Sequence, residues 1–311
     1  MKITAILTAV ACAALPILPV SSGATVYWAP AHELAPQGYS CRMAAGDLDS
    51  DGDIDLSLFD AAPIAQFWNI GTPDEPAWQF GPSPYQGIPA CTAQNGGLGD
   101  LDADGDLDLV FTCWYDDFVR FYWNTGTPSN PSWEADLSVF DGVPTSGGDG
   151  SPRLADMDGD GDLDAMLGSW SGMVRYAHNV GTASAPSFEY VGWVDGVLSV
   201  DGHSPTIALG DLDSDGDLDL VRTSVGAPVE CFENVGTPQV FQFAESEALM
   251  TGVSVPPSEH CWGVDLMDID ADGDPDMMLA VGLGDANLLF LNGGATPVAA
   301  TSWGVIKAMY R

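Results

Sequence analysis

Asp47-Leu48-Asp49-Ser50-Asp51-Gly52-Asp53-Ile54-Asp55 places a carboxylate at every odd position of nine residues and a glycine at the sixth. The pattern returns at Asp100, Asp156, Asp211 and Asp268, so that five copies begin 53, 56, 55 and 57 residues apart. Such even spacing at this length marks a repeat architecture in which each unit is one small sheet. The loop itself has the chemistry of an oxygen cage. A hard cation such as calcium takes six to eight oxygen ligands at about 2.3–2.6 Å, and alternate carboxylates on a tight turn can all point inward.

In the first copy Asp47, Asp49 and Asp51 supply the alternate carboxylates, while Gly52 permits the sharp turn. Asp53 offers its backbone carbonyl, and Asp55 closes the cage with one or both oxygens. The other copies keep every element: Asp100, Asp102, Asp104, Asp106 and Asp108; Asp156, Asp158, Asp160, Asp162 and Asp164; Asp211, Asp213, Asp215, Asp217 and Asp219; Asp268, Asp270, Asp272, Asp274 and Asp276. An acidic surface turn would need Asp and Gly but not this alternation. About five calcium ions per chain are therefore expected.

An EF-hand would require a bidentate Glu at position twelve and flanking helices. Position twelve here is Leu58, Phe111, Leu167, Arg222 or Leu279, and each loop leads into an apolar run such as Leu107-Asp108-Leu109-Val110-Phe111. Such runs read as buried strands. Later in each repeat comes a second signature, as in Phe67-Trp68-Asn69-Ile70-Gly71-Thr72-Pro73, Tyr122-Trp123-Asn124-Thr125-Gly126-Thr127 and Phe232-Glu233-Asn234-Val235-Gly236-Thr237. Asn-x-Gly-Thr is a turn closing an aromatic strand. One repeat thus reads strand A, Asp loop, strand B, tight turn, strand C ending at Asn-x-Gly-Thr, and strand D. The expected fold is all-β, a β-propeller of five four-stranded antiparallel blades. The last repeat lacks an obvious strand D, and an N-terminal strand around Val26-Tyr27-Trp28 is expected to complete it and close the ring.

These Asp loops and Asn-x-Gly-Thr turns resemble the FG-GAP/VCBS repeats, the calcium-binding blades also found in integrin α-subunits. The resemblance covers residues 25–297 and implies an extracellular binding or adhesion module, with no particular catalytic chemistry. Members commonly have seven blades; this chain has room for five.

Composition narrows the partners. The net charge is −37, with 45 acidic residues against 8 Lys or Arg, and 25 of those acids sit in the five loops. Without cations the loops repel themselves and one another, and no basic surface is available for nucleic acid or anionic lipid. Met1-Lys2 followed by an apolar run from Ile3 to Val20 and by Ser22-Gly23-Ala24 reads as a signal peptide, residues 1–24, cut near Ala24. No second run is long and apolar enough to span a membrane, so a secreted or cell-surface protein is expected. Residues 298–311 form a tail, either an extra strand or a sorting signal. Past the signal peptide, Cys41, Cys91, Cys113, Cys231 and Cys261 remain, an odd number whose connectivity the sequence leaves open.

Strand direction puts the Asp loops on one face and the B–C turns and D–A connections on the other. That second face is where a ligand is expected, through Trp114, Tyr115 and Trp170 on B–C turns and His203 and His260 on D–A connections. Aromatic rings beside Asp116 and Asp117 suit a sugar surface, so carbohydrate or another extracellular protein is the expected partner. No nucleophile with a fitting base stands out, and a non-enzymatic role is expected. The alternative is a polysaccharide lyase or glycosidase using Asp116 and Asp117 as acid and base, or a lectin.

Overall fold

The computed structural model describes residues 32–34, 42–59, 64–72, 76–89, 94–113, 116–127, 129–144, 151–169, 171–197, 203–225, 227–237, 239–253, 261–281 and 286–292. Within these residues the chain forms five four-stranded antiparallel sheets. The first blade is β2 (Arg42–Gly46), β3 (Asp55–Phe59), β4 (Ala65–Asn69) and β5 (Trp78–Gly81). The second is β6 (Gln94–Gly99), β7 (Asp108–Cys113), β8 (Arg120–Asn124) and β9 (Trp133–Ala135). The third is β10 (Pro152–Ala155), β11 (Asp164–Gly168), β12 (Val174–Asn179) and β13 (Phe188–Trp193). The fourth is β14 (His203–Gly210), β15 (Asp219–Val225), β16 (Glu230–Asn234) and β17 (Phe243–Glu245).

The fifth blade is assembled from both ends of the chain. It contains β18 (Cys261–Met267), β19 (Asp276–Val281), β20 (Ala286–Phe290) and, as its outer strand, β1 (His32–Leu34), which pairs antiparallel with β20. The closing strand lies a few residues after Val26–Trp28, which fall outside the described residues, as do the signal-peptide segment and the C-terminal tail. The first strand of each blade touches the first strand of the next, β2 to β6, β10, β14, β18 and back to β2, so the ring is complete. Closure through the N-terminal strand leaves no blade with an unpaired fourth position.

Each blade is buried on both faces, which explains why its inner strands read as apolar runs and not as strict alternation. Five hydrophobic clusters fill the five gaps between blades, for instance Phe59, Leu109 and Phe111 between blades one and two, and Met166, Ile207 and Leu220 between blades three and four. The second residue of every Asp loop, Leu48, Leu101, Met157, Leu212 or Ile269, is buried in one of these clusters. Each loop is thereby nailed to the core at its second position. Close approach of the inner strands demands Gly97, where a Cβ would lie 2.5 Å from the carbonyl oxygen of Pro152 in the next blade.

One side chain ties the inner ring together. Arg153 of β10 donates from Nη1 to the carbonyls of Gly96 at 2.7 Å and Pro152 at 2.8 Å, and from Nη2 to those of Val264 at 2.9 Å and Met43 at 3.1 Å. Its Nε lies 3.4 Å from Asp265 Oδ1, and Asp265 Oδ2 accepts from the Ala45 amide at 2.7 Å. The guanidinium thus bonds the innermost strands of four blades. The fourth blade joins by Thr206 Oγ1, which donates to the Trp262 carbonyl at 3.0 Å. Burial pushes the Asp265 carboxyl up while the Arg153 charge pulls it down.

A buried charge stripped of its partner is strongly destabilising. Arg153→Ala is expected to cost about 3–5 kcal/mol in denaturant unfolding, with partial recovery when Asp265→Asn is added. A loss below about 1 kcal/mol would mean that the axial network is not holding the ring.

Candidate metal centres

The two sequence signatures of each repeat meet at one carboxylate. In blade one, Asp55 Oδ1 accepts from the Asn69 amide at 2.7 Å and Oδ2 from the Leu48 amide at 3.2 Å. The same clip recurs at Asp108 with Asn124 and Leu101, Asp164 with Asn179 and Met157, Asp219 with Asn234 and Leu212, and Asp276 with Asn292 and Ile269. The Asn side chain then closes its own turn. Asn69 Oδ1 accepts from Gly71 at 3.1 Å and Ala77 at 2.9 Å, and Asn124, Asn179 and Asn234 repeat the pair. The ninth Asp therefore couples the loop to the far end of strand C.

Backbone amides shape the rest of the loop. Asp47 accepts from Asp51 and Gly52, and Asp51 accepts from Asp53, with the same set in the other four loops. The sixth-position glycines have φ of 95–96°, a region open to glycine. At position four the same left-handed turn is forced on Ser50, Ala103, Ser214 and Ala271, at φ of 56–59°, whereas the third loop has Gly159 there. Four loops thus hold a non-glycine residue in a strained conformation, which is tolerated only where the surroundings over-determine it.

In loops one, two, four and five the first, third and ninth carboxylates bring oxygens within 4.8 Å of one another: Asp47, Asp49 and Asp55; Asp100, Asp102 and Asp108; Asp211, Asp213 and Asp219; Asp268, Asp270 and Asp276. The fifth-position residues, Asp51, Asp104, Asp215 and Asp272, stay exposed and outside these groups. Buried polar atoms without a hydrogen-bond partner include Oδ1 of Asp49, Asp102 and Asp270, each at the third position and facing two other carboxylates. A buried anionic oxygen left bare is costly, and a cation among the three carboxylates would satisfy it. The residues present fit a hard, oxygen-ligated metal ion.

The third loop is built differently, although its motif is intact. Asp164 Oδ2 accepts a second bond, from the Tyr176 hydroxyl at 2.9 Å. The group that converges here is Asp158, Asp160 and His178, with His178 Nε2 3.1 Å from Asp158 Oδ2. His178 stands where the other blades have Trp68, Trp123, Glu233 and Leu291. Its position just before the Asn of the second signature was the available signal in the sequence.

The aromatic and histidine residues expected on the opposite face fall almost wholly outside the described residues. Trp114, Tyr115, Trp170 and His260 lie outside them, and of His203 only the backbone, at the start of β14, is described. Asp116 accepts from Arg120 Nε at 2.6 Å and is held as an ion pair. A groove of about 410 Å³ runs beside the second loop between blades two and three, lined by Asp102, Trp123, Asp136, Asp141, Ser187 and Phe188 among others. Nothing in the sequence marked it. Cys113 is disulfide-bonded, while Cys231 and Cys261 are free and buried in the cluster between blades four and five. Burial pushes the Cys261 thiol up to about 11, and that of Cys231 higher still, so neither is a reactive thiolate.

Burial also raises the ninth-position carboxyls, against the pull of their two backbone amides: Asp55, Asp108 and Asp276 to about 7 and Asp219 to about 8. These folded-state values lie above the ordinary 3.8. Their contribution to the metal-free fold is thus fully present below about pH 4 and lost as pH rises through 7 to 8. Chelator-treated protein is expected to melt higher at about pH 5.5 than at about pH 8, and a divalent cation in excess to reverse that order, because cation and proton compete for the same oxygens. Equal melting temperatures across that range in chelator would contradict the burial of these groups.

The repeat organisation agrees with a family match. The FG-GAP-like repeat model matches residues 100–167, 156–222 and 211–279. No curated protein matches the chain in sequence. Among solved structures it is similar to the glutaminyl cyclase of Myxococcus xanthus, at 13% identity and a TM-score of 0.43, over 85% of this chain and 97% of that one. It is also similar to an Agrocybe aegerita lectin that recognises non-reducing terminal N-acetylglucosamine, at 17% identity and a TM-score of 0.39, over 90% of this chain and 69% of that one. With the family match running from residue 100 to residue 279 of 311, the chain belongs to the FG-GAP-like repeat family.

Proposed function

We propose that this protein is an extracellular, calcium-rigidified binding module and not an enzyme, with calcium held by the Asp loops of blades one, two, four and five. The observation that carries the reading is the bare third-position oxygen, Oδ1 of Asp49, Asp102 and Asp270, buried among two further carboxylates. An all-carboxylate set with no nitrogen or sulfur donor suits calcium over softer ions. Magnesium demands near-ideal octahedral geometry and retains water, which favours calcium in loops of this kind. Two features support an extracellular setting: the apolar stretch from Ile3 to Val20 followed by Ser22-Gly23-Ala24, and the disulfide at Cys113.

Carbohydrate is the partner class we favour. The groove beside the second loop combines the half-buried indole of Trp123 with carboxylate acceptors and serine hydroxyls, the mixture that packs on a sugar ring and bonds its edge. Its position next to Asp102 would make binding sensitive to calcium. The carboxylates of the loops serve as ligands in this reading and are not free for acid and base work.

Two experiments test it. Calcium titration of chelator-stripped protein is expected to give about four ions per chain, with stability rising by about 2.7 kcal/mol per site at a hundredfold excess over Kd. No calcium uptake, or uptake without stabilisation, would overturn the scaffold role. In a screen on immobilised glycans, binding is expected in calcium, to be lost in chelator, and to be weakened at least tenfold by Trp123→Ala in protein that still melts cooperatively. Release of product from polysaccharide would instead establish the enzymatic alternative.

A further inference from the structure

The third blade keeps all five aspartates and yet does not assemble the ligand set of the other four. Both oxygens of Asp164 are engaged, Oδ1 by the Asn179 amide at 2.7 Å and Oδ2 by the Met157 amide at 3.3 Å and the Tyr176 hydroxyl at 2.9 Å. Asp156 is also occupied: Oδ1 accepts from Gly159 at 2.8 Å and Asp160 at 3.1 Å, and Oδ2 from Gly161 at 3.0 Å. The extra bond from Gly159 belongs to the one loop with glycine at position four. The other amide bonds recur in all five loops; the first and ninth carboxylates here each carry one more, from the Gly159 amide and from the Tyr176 hydroxyl.

What replaces them is an imidazole. His178 projects from β12 over the loop, nearly parallel to the Tyr176 ring at 18° with centroids 6.1 Å apart. Its Nε2 is buried and makes no hydrogen bond of acceptable geometry, although it lies 3.1 Å from Asp158 Oδ2. Asp158, Asp160 and His178 bring one ligand atom each within 4.8 Å of one another. The His178 and Asp158 side chains remain 33% and 24% exposed, which leaves an ion a path from solvent. A nitrogen and two carboxylates is a donor set that calcium, with its demand for six to eight oxygens, does not favour. Zinc does favour it: imidazole nitrogen and carboxylate oxygen both bind at about 2.0–2.2 Å, and three protein ligands leave the fourth tetrahedral position to water.

We propose that the third loop is a separate cation site, in which Asp158, Asp160 and His178 hold zinc or a similar borderline transition ion while the other four loops hold a hard cation. The propeller then carries two kinds of metal in one ring, with the choice made by a residue outside the Asp motif.

The test uses the full mature chain, stripped with chelator, reloaded with excess calcium and titrated with zinc and separately with cobalt. One zinc per chain is expected to remain after desalting in calcium, and cobalt is expected to give the absorption of a nitrogen-ligated centre. His178→Gln is expected to weaken zinc at least about tenfold, a lower bound set by the effect of losing even an outer-sphere partner, and to leave the calcium count unchanged. Asp158→Asn is expected to weaken zinc likewise and serves as the second variant should the first fold poorly. Zinc uptake that survives His178→Gln would place the ion at one of the other histidines and overturn the assignment. So would failure of zinc to bind in the presence of calcium. Calcium and zinc are counted separately, so loss of the zinc site and failure of the calcium scaffold read out as different results.

Discussion

Each blade depends on one buried carboxylate. Asp55, Asp108, Asp164, Asp219 and Asp276 are each no more than 2% exposed, and each accepts one amide from its loop and one from the end of strand C. Two amide bonds do not offset the cost of burying a charge, which is why burial pushes all five carboxyls up from their ordinary value. A cation beside the carboxylate would supply the missing compensation. Loading the loop and locking the far end of the blade would then be one event, with the Asn-x-Gly-Thr turn supporting the candidate metal site without contributing a ligand.

The repeat, its period and the strand order could be read from the sequence because they depend on residues close together in the chain. Asp55 and Asn69 are the two ends of one β-hairpin, two strands and a turn apart, and their link is a local consequence of the two motifs. Arg153 could not be read that way. Its bonds run to Met43, Gly96 and Val264, whose proximity exists only once the ring has closed. The third loop was hidden for a related reason: its five aspartates match the rest, and the difference comes from Tyr176 and His178 on another strand. The groove between blades two and three likewise needs two neighbouring repeats to exist.

The charge distribution follows from the same design. Arg153 lies at the ring's axis, Arg222 is buried against Glu230 and the ring of Phe232, Arg175 stacks 4.4 Å from Trp193, and Arg120 pairs with Asp116. Arg42 is buried as well. The described arginines are thus engaged internally, and the surface they leave is acidic. Cations bound in the loops would be a counterweight to the net charge of −37.

Amide hydrogen exchange with and without calcium tests the coupling most directly, by following Leu48, Leu101, Leu212 and Ile269 in the loops and Asn69, Asn124, Asn234 and Asn292 at the ends of strand C. Calcium is predicted to slow both sets together, since each pair shares one carboxylate. Protection confined to the loop amides, with those of the asparagines unchanged, would contradict the claim that the ninth aspartate joins the metal site to the blade.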